Sequence, residues 1–382
     1  MPKTLPITVA CKLEVSNAVA TEIDDTLLVF ATACDWVNAN TPNKMTNKTA
    51  LQSLVYQYVR TNFGLSANLA IQAIRRVCAN RKTAKQKGRK VKEFSPTSIS
   101  YDARIFSFRE KDWTVSVKLL NSCQRIKLLI GNYQVGLLKG KDPKGATLVK
   151  RKNGDYYIHI TLDEPTQPET KTDKVLGCDL GRTDICTTSE GESWSGKQIT
   201  DKRNHYAKLR ATIQKKASKG TRSSRRRCRQ LLARLSGKEK RFQKHINHEI
   251  SRQLVNNAVT DKQAIAIEDL TGIRERTNKK LRNAVARLSS AVQRQNGARP
   301  RSRKDKRLGN NWAFYQLRQF LTYKCVLAGV KLILVNPAWT SQTCYKCHVI
   351  GDRKGKKFAC NNCENKCDAD YNWTLDKKQL LA

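Results

Sequence analysis

VNPAWTSQTCYKCHVIGDRKGKKFACNNCENKCDADYN, residues Val335–Asn372, decides the fold of this 382-residue chain. It holds two Cys-x-x-Cys pairs, Cys344/Cys347 and Cys360/Cys363, separated by twelve residues. Asp368-Ala-Asp370 follows at once. Each pair turns tightly enough to set two sulfurs on one ion, and the intervening loop brings the pairs together, so four thiolates in this spacing suit tetrahedral zinc. A site closed by four thiolates leaves no open coordination position, so this zinc is expected to be structural. His348 and Cys367 stand nearby as spare ligands, and a disulfide pair or free thiols are the alternatives.

Working outward, the knuckle is preceded by an expected amphipathic helix, Ala313–Ala328, and an expected strand, Val330–Val335. Asp370–Leu381 reads as a last helix. Upstream, Val175–Trp194 reads as a strand, a tight Gly turn and a hairpin. Asp201–Val259 reads as helical with a break near Ser218–Thr221, and Lys262–Glu268 as a buried strand ending in an acid. The stretch from Asp269 to Arg307 is polar and basic.

In so basic a chain, acids at the ends of apolar strands are notable. Asp179 closes an apolar strand, Glu268 ends Ala264-Ile-Ala-Ile, and Asp370 begins the expected last helix. A nuclease working with two divalent ions needs several carboxylates, from different segments, around ions about 3.5–4 Å apart. Magnesium prefers such hard oxygen ligands. Singly, each acid has a plainer reading: a turn cap, a strand-end acid beside Asp269, or a helix N-cap.

Charge narrows the partners. Lys and Arg number 73 against 32 Asp and Glu, a net charge of +41. A chain this basic repels itself without a polyanion, and a phosphate backbone, which binds through counterion release, is the expected one. No window approaches the roughly 18 apolar residues of a membrane span. The opening MPKTLPITVACKLEV lacks the apolar core and cleavage site of a secretory leader. Nine of the thirteen cysteines lie outside the paired motif, scattered singly, and read as reduced intracellular thiols. The expected location is the cytoplasm of a prokaryote, in association with the nucleoid.

The first half reads as a strand at Ile7–Val15, helices over Asn17–Asn38 and Thr49–Cys78, a basic run at Ala79–Lys92, and then short strands. These strands are Ser98–Phe108, Thr114–Val117, Gln124–Leu129, Thr147–Arg151 and Tyr156–Thr161. Asp163–Lys174, with two prolines, is the best linker.

GCDLG at Gly177–Gly181, AIAIEDLTGIR at Ala264–Arg274 and the quoted C-terminal block together resemble the three split segments of a RuvC-type nuclease with an inserted zinc knuckle. They are similar to those of TnpB, the RNA-guided DNA endonuclease of insertion sequences and a relative of compact type V CRISPR effectors. The resemblance covers Lys174 to the end; the first half matches only in its arrangement. Where the family continues Asp-x-Asn-Ala-Ala, this chain has Asp370-Tyr371-Asn372-Trp373-Thr374.

The resemblance implies a multidomain α/β and α+β fold: an RNase H-like RuvC nuclease domain with an inserted zinc ribbon, preceded by a small β domain carrying a helical insertion. The expected division is residues 1–16 for the first strand of a wedge β domain, 17–95 for a helical recognition domain and 96–165 for the rest of the wedge. A linker at 166–173 follows, then the first two RuvC segments at 174–339, the knuckle at 340–367 and the third segment at 368–382. Asp179, Glu268 and Asp370 become the magnesium-binding catalytic acids, and Cys344, Cys347, Cys360 and Cys363 the zinc ligands. Guide RNA and target double-stranded DNA become the partners of a monomeric protein with one RNA. Phosphate contacts fall to Arg75, Arg76, Arg81 and Lys82 and to the basic helices spanning 202–241. In those helices the residues are Lys202, Arg203, Lys208, Arg210, Lys215, Lys216, Arg225, Arg226 and Arg227. A compact CRISPR effector using a CRISPR RNA, a non-cleaving RNA-guided regulator and a zinc-ribbon RNA-binding or ribosome-associated protein are the competing readings.

Overall fold

The computed structural model describes residues 4–181, 183–271, 313–336, 342–354, 357–368 and 372. Asp370, Trp373 and the expected helix at 370–381 lie outside them, apart from Asn372, as does most of the polar stretch after Asp269. The chain divides into two compact units, Thr4–Glu164 and a second from Pro165 onward.

The first unit is a sheet of seven strands: β1 (Thr4–Glu14), β2 (Ser98–Asp102), β3 (Phe106–Arg109), β4 (Thr114–Lys118), β5 (Cys123–Leu129), β6 (Gly145–Lys150) and β7 (Tyr156–Pro165). Their order is β2-β6-β7-β1-β5-β4-β3. Val9, Cys11 and Leu13 on β1, and Val115 and Val117 on β4, send alternate side chains into the core. Residues 98–108 form two strands instead of the single one expected. The Asp102 carboxylate accepts from the Arg104 N–H at 3.1 Å, making an Asx turn that ends β2. This break puts β2 and β3 on opposite edges of the sheet. In a flat sheet these edges would stand about 29 Å apart, at ~4.8 Å per strand. The four residue steps from Asp102 to Phe106 span at most about 14 Å. The sheet therefore curls toward a barrel.

Three helices separate β1 from β2: α1 (Asn17–Ala39), α2 (Lys48–Asn62) and α3 (Ala67–Gln86). The Ser16 side chain caps α1 through the Val19 N–H, and the Asn47 side chain caps α2 through the Thr49 N–H. The helix expected over Thr49–Cys78 breaks at Gly64, whose φ of +59° is a left-handed conformation that ends α2. Phe30 and Leu27 of α1 share one core with Ile99 and Leu148 of the sheet. A short helix, α4 (Asn132–Leu138), follows β5; sequence periodicity did not reveal it because it buries Leu138 alone.

The second unit begins with β8 (Val175–Asp179), β9 (Asp184–Thr188) and β10 (Ser193–Ser195). A long helical crossing follows, α5 (Lys197–Lys219), α6 (Arg222–Leu235) and α7 (Lys238–Thr260), and then β11 (Ala264–Glu268). Helix α8 (Phe314–Ala328) leads into β12 (Leu332–Val335). The sheet order is β10-β9-β8-β11-β12. β11 runs parallel to both β8 and β12, while β9 and β10 return antiparallel. Parallel neighbours need a crossover, which the α5–α7 run supplies between β8 and β11.

Both β8 and β11 bury four residues in succession, as strands covered on two faces do. Their side chains sort by parity. Leu176, Cys178, Ile265 and Ile267 join Ile250 and Leu254 of α7 and Leu317 and Leu321 of α8. Val175, Ala264 and Ala266 face the other way, with Ile333 and Val335.

The expected linker at 166–173 is fastened to the end of α8. Gln167 N–H donates to the Leu327 carbonyl at 3.3 Å and Thr170 N–H to that of Gly329 at 2.8 Å. Gly329 caps α8 at φ +71°, and a side chain there would overlap the Pro168 carbonyl oxygen. Among the described residues no helix is long and apolar enough to cross a membrane.

Candidate active site and metal knuckle

The two described acids of interest meet at one edge of the second sheet. Ile267 pairs with Cys178, so Glu268 and Asp179 stand one step further on, side by side at the carboxyl ends of β11 and β8. Parity puts both on the face of Val175, Ala264 and Ala266. Adjacent parallel strands lie about 4.8 Å apart, so the two carboxylates arise within reach of one cation. Each is half-buried where its neighbours are fully buried. The carboxyl edge of parallel strands is where open α/β sheets place ligands. The turn leaving Asp179 needs Gly181, because a Cβ there would stand 2.7 Å from the Asp184 carbonyl oxygen.

The residue after Glu268 is held on several sides, a feature the sequence reading passed over. Asp269 N–H donates to the Val335 carbonyl at 2.8 Å. Its Oδ1 accepts from the Thr271 N–H at 3.0 Å, from the Thr271 hydroxyl, and from Arg318 of α8 at 2.5 Å. The Thr271 hydroxyl, its backbone N–H and the Arg318 charge hold the Asp269 carboxyl below the ordinary carboxylate range. Asp-Leu-Thr is an Asx-turn signature and could have flagged this.

The four paired cysteines converge. Their sulfurs all lie within 4.8 Å of one another, with Cys344–Cys363 at 3.5 Å and Cys347–Cys360 at 3.4 Å. They sit on a three-stranded antiparallel sheet, β13 (Asp352–Lys354), β14 (Lys357–Ala359) and β15 (Lys366–Asp368), around the buried Phe358. Each pair ends in a left-handed residue, His348 at φ +56° and Glu364 at +55°, so the two turns repeat one geometry. His348 therefore serves as the turn residue after Cys347, and the four-thiol cluster includes neither it nor Cys367.

Backbone N–H from Val349 draws the Cys347 thiol down to about 6. Cys363 accepts from Asn365 N–H, yet burial and the neighbouring thiols push it up to about 12. Four sulfurs this close to one another match the donor set of a tetrathiolate zinc site. The buried Asn365 amide donates toward Cys344 Sγ at 3.6 Å and Cys367 Sγ at 3.7 Å, an outer-shell role that the sequence did not reveal.

The cations expected at phosphates divide. Lys202, Lys208, Lys215, Lys216, Arg225, Arg226 and Arg227 are exposed on α5 and α6. Arg203 and Arg210 are half-buried, the latter paired with Glu239. In the first unit Arg75 and Lys82 are exposed. Arg76 is occupied by Ser98, donating to its carbonyl and, at 3.0 Å, to its hydroxyl. Arg81 is only 3% exposed and donates to Asn38, Thr41, Pro42 and Met45. Its guanidinium organises the loop between α1 and α2, which corrects its expected place at a phosphate.

A family model described as a probable transposase, OrfB_IS605, matches residues 158–274, and the Cas12f1-like TNB domain matches 314–373. A TnpB-like protein of Methanocaldococcus jannaschii is 34% identical over 245 residues, covering 63% of this chain and 76% of the relative. The chain belongs to the TnpB-like family. This TnpB-like chain is also 27% identical over 260 residues to the CRISPR-associated endodeoxyribonuclease Cas12f1 of Sulfoacidibacillus thermotolerans, 64% of this chain and 53% of that protein. The match thus spans about half the length of the Cas12f1 relative. A solved Cas12f1–sgRNA–target DNA complex superposes at a TM-score of 0.57 with 14% identity, over 94% of this chain and 80% of that one. This likeness establishes the fold alone: a Cas12f-like α/β architecture with a four-cysteine ribbon.

Proposed function

We propose that this TnpB-like chain is an RNA-guided DNA endonuclease encoded by an insertion-sequence-type transposon, cutting target DNA beside a short flanking motif with magnesium. The observation that carries the reading is the apposition of Asp179 and Glu268 at the ends of adjacent parallel strands. The third acid, Asp370, lies outside the described residues and enters as part of the proposal, as do the boundaries 1–16, 17–95, 96–165, 166–173, 174–339, 340–367 and 368–382.

The donor set suits hard divalent cations: carboxylates on one sheet face, at an edge where the covering apolar layer ends. Bound there, such ions supply an activated water and charge neutralisation at the scissile phosphate. The chain's own part is to hold Asp179 and Glu268 at a fixed separation and to keep their strands from slipping. The zinc knuckle is structural. The exposed cations of α5 and α6 meet phosphates of the guide or its heteroduplex, while base pairing reads sequence. Guide RNA and double-stranded DNA are the partners of one protein copy in a prokaryotic cytoplasm.

The test is cleavage of a guide-matched duplex by Asp179→Asn and Glu268→Gln proteins with magnesium. Each is expected to lose about a thousandfold or more in rate while keeping target affinity. Wild-type rates in either variant would refute the assignment. The Cas12f1-like match favours a second reading, a compact CRISPR effector. Sequencing the copurifying RNA separates the two, since a CRISPR RNA carries array repeats and a transposon guide carries the element's end.

A further inference from the structure

Asn372 has no assigned role in the mechanism above, yet it is fully buried, with 0% of its surface exposed. Its side-chain amide lies along the backbone of the first knuckle turn. Oδ1 accepts from the Tyr345 N–H at 3.2 Å, and Nδ2 donates to the Thr343 carbonyl at 2.6 Å. One primary amide thereby copies a rung of a β-ladder, taking up the N–H and the C=O that a strand turns to the same side. The two backbone groups flank Cys344, the most deeply buried of the four paired thiols.

Cys344 is held from its other sides as well. Its N–H donates to Val349 and its carbonyl accepts from His348, both at 2.9 Å. Asn365 donates toward its sulfur at 3.6 Å. A change in the Asn372 grip therefore has few routes of relaxation other than through Cys344. In the opposite direction along the chain, Asn372 is two residues from Asp370, a reach of at most about 7 Å.

We propose that Asn372 is a positioning residue that clamps the third carboxylate segment to the Cys344 turn, so that metal held by the knuckle and the placement of Asp370 depend on one another. The activity half of this inference rests on the nuclease reading; the knuckle half does not. Without the amide, Tyr345 N–H and Thr343 C=O lose these two bonds in a half-buried place. Two such bonds correspond to a change of about tenfold or more in an equilibrium or rate.

The experiment compares full-length, guide-loaded wild-type, Asn372→Ala and Asn372→Asp proteins. Asn372→Asp keeps an acceptor for Tyr345 but sets a carboxylate oxygen against the Thr343 carbonyl. Three quantities are read: zinc per chain with the rate of zinc transfer to a chromogenic chelator, target affinity, and cleavage rate at saturating target. Both variants are expected to hold one zinc per chain and to bind target within about twofold. They should release zinc about tenfold faster and cleave about tenfold more slowly. Slow cleavage with an unchanged zinc-transfer rate would mean a purely local structural role and overturns the clamp, as does fast transfer with unimpaired cleavage. If wild-type protein cuts nothing, the nuclease reading fails by itself, and faster zinc transfer in the variants still upholds the grip on Cys344.

Discussion

Replacing Arg81 with Met separates the two roles that a cation in a basic run can have. The side chain keeps its apolar stem and length but loses every donor. Seven acceptors then lose a guanidinium donor: Val37 O, Asn38 O and Oδ1, Thr41 O and Oγ1, Pro42 O and Met45 O; of these, Val37 O keeps the Thr41 hydroxyl and Pro42 O keeps the Met45 N–H. Pro42 is exposed and Met45 half-buried, so water replaces the guanidinium there. Asn38 and the buried Thr41 remain, and an unsatisfied buried acceptor costs about 1–3 kcal/mol. Against this, burial holds the Arg81 pKa below its ordinary value, so removing the cation also relieves a desolvation penalty. The net is a loss of about 2–3 kcal/mol. For a unit of this size that lowers the melting temperature by roughly 5–10 °C. Hydrogen exchange followed by mass spectrometry localises the effect, which should centre on the loop between α1 and α2 and the facing turn of α3. Arg226→Met is the control: it is exposed on α6, so it should leave stability alone and reduce the salt dependence of guide binding by about one phosphate contact. If Arg81→Met melts with the wild type and instead reduces that salt slope, the structural assignment of Arg81 is wrong.

Two further outcomes follow from the second unit. Asp269→Asn should flatten the acid limb of stability. The folded-state carboxyl lies below its unfolded value of about 3.9, so its contribution is present above that pH and is lost as pH falls through the folded pKa. Melts at pH 7 and pH 3 should therefore differ less in the variant, and an equal difference would discard the Thr271–Arg318 network as a stability device. Cys344→Ser should take bound zinc well below one per chain by metal analysis, whereas Cys367→Ser should leave it at one; the reverse would reassign the ligand set.

Much of the second unit was legible. Runs such as Ala264-Ile-Ala-Ile announce a strand buried on both faces, and the thiol spacing announces the knuckle. Less visible was what puts the acids together. Asp179 and Glu268 are separated by three helices, and only the non-local pairing of β8 with β11 sets them in register. Arg81 was misread because its neighbours in ANRKTAKQKGRKVK are exposed. Counting back along α3, however, it falls on the stripe of Ala70, Ile74 and Val77, all buried, and that period was a better guide than local charge. The break at Asp102–Ile105 was hidden because turn chemistry in one carboxylate outweighed the strand pattern around it.

The alternation of side chains along β8 and β11 constrains how this molecule can change over time. A single-residue insertion in either strand would rotate its acid to the helix-covered face and leave the other alone, so length changes there are tolerated only in pairs. The α5–α7 crossing carries no such parity. Its first two helices, α5 and α6, bury only Ile199 and Cys228 and can be lengthened or recharged, while α7 holds Ile250 and Leu254 against the strands that carry both carboxylates. The carboxylate edge is thus the inheritable constant of the unit, and α5 and α6 are the part free to vary.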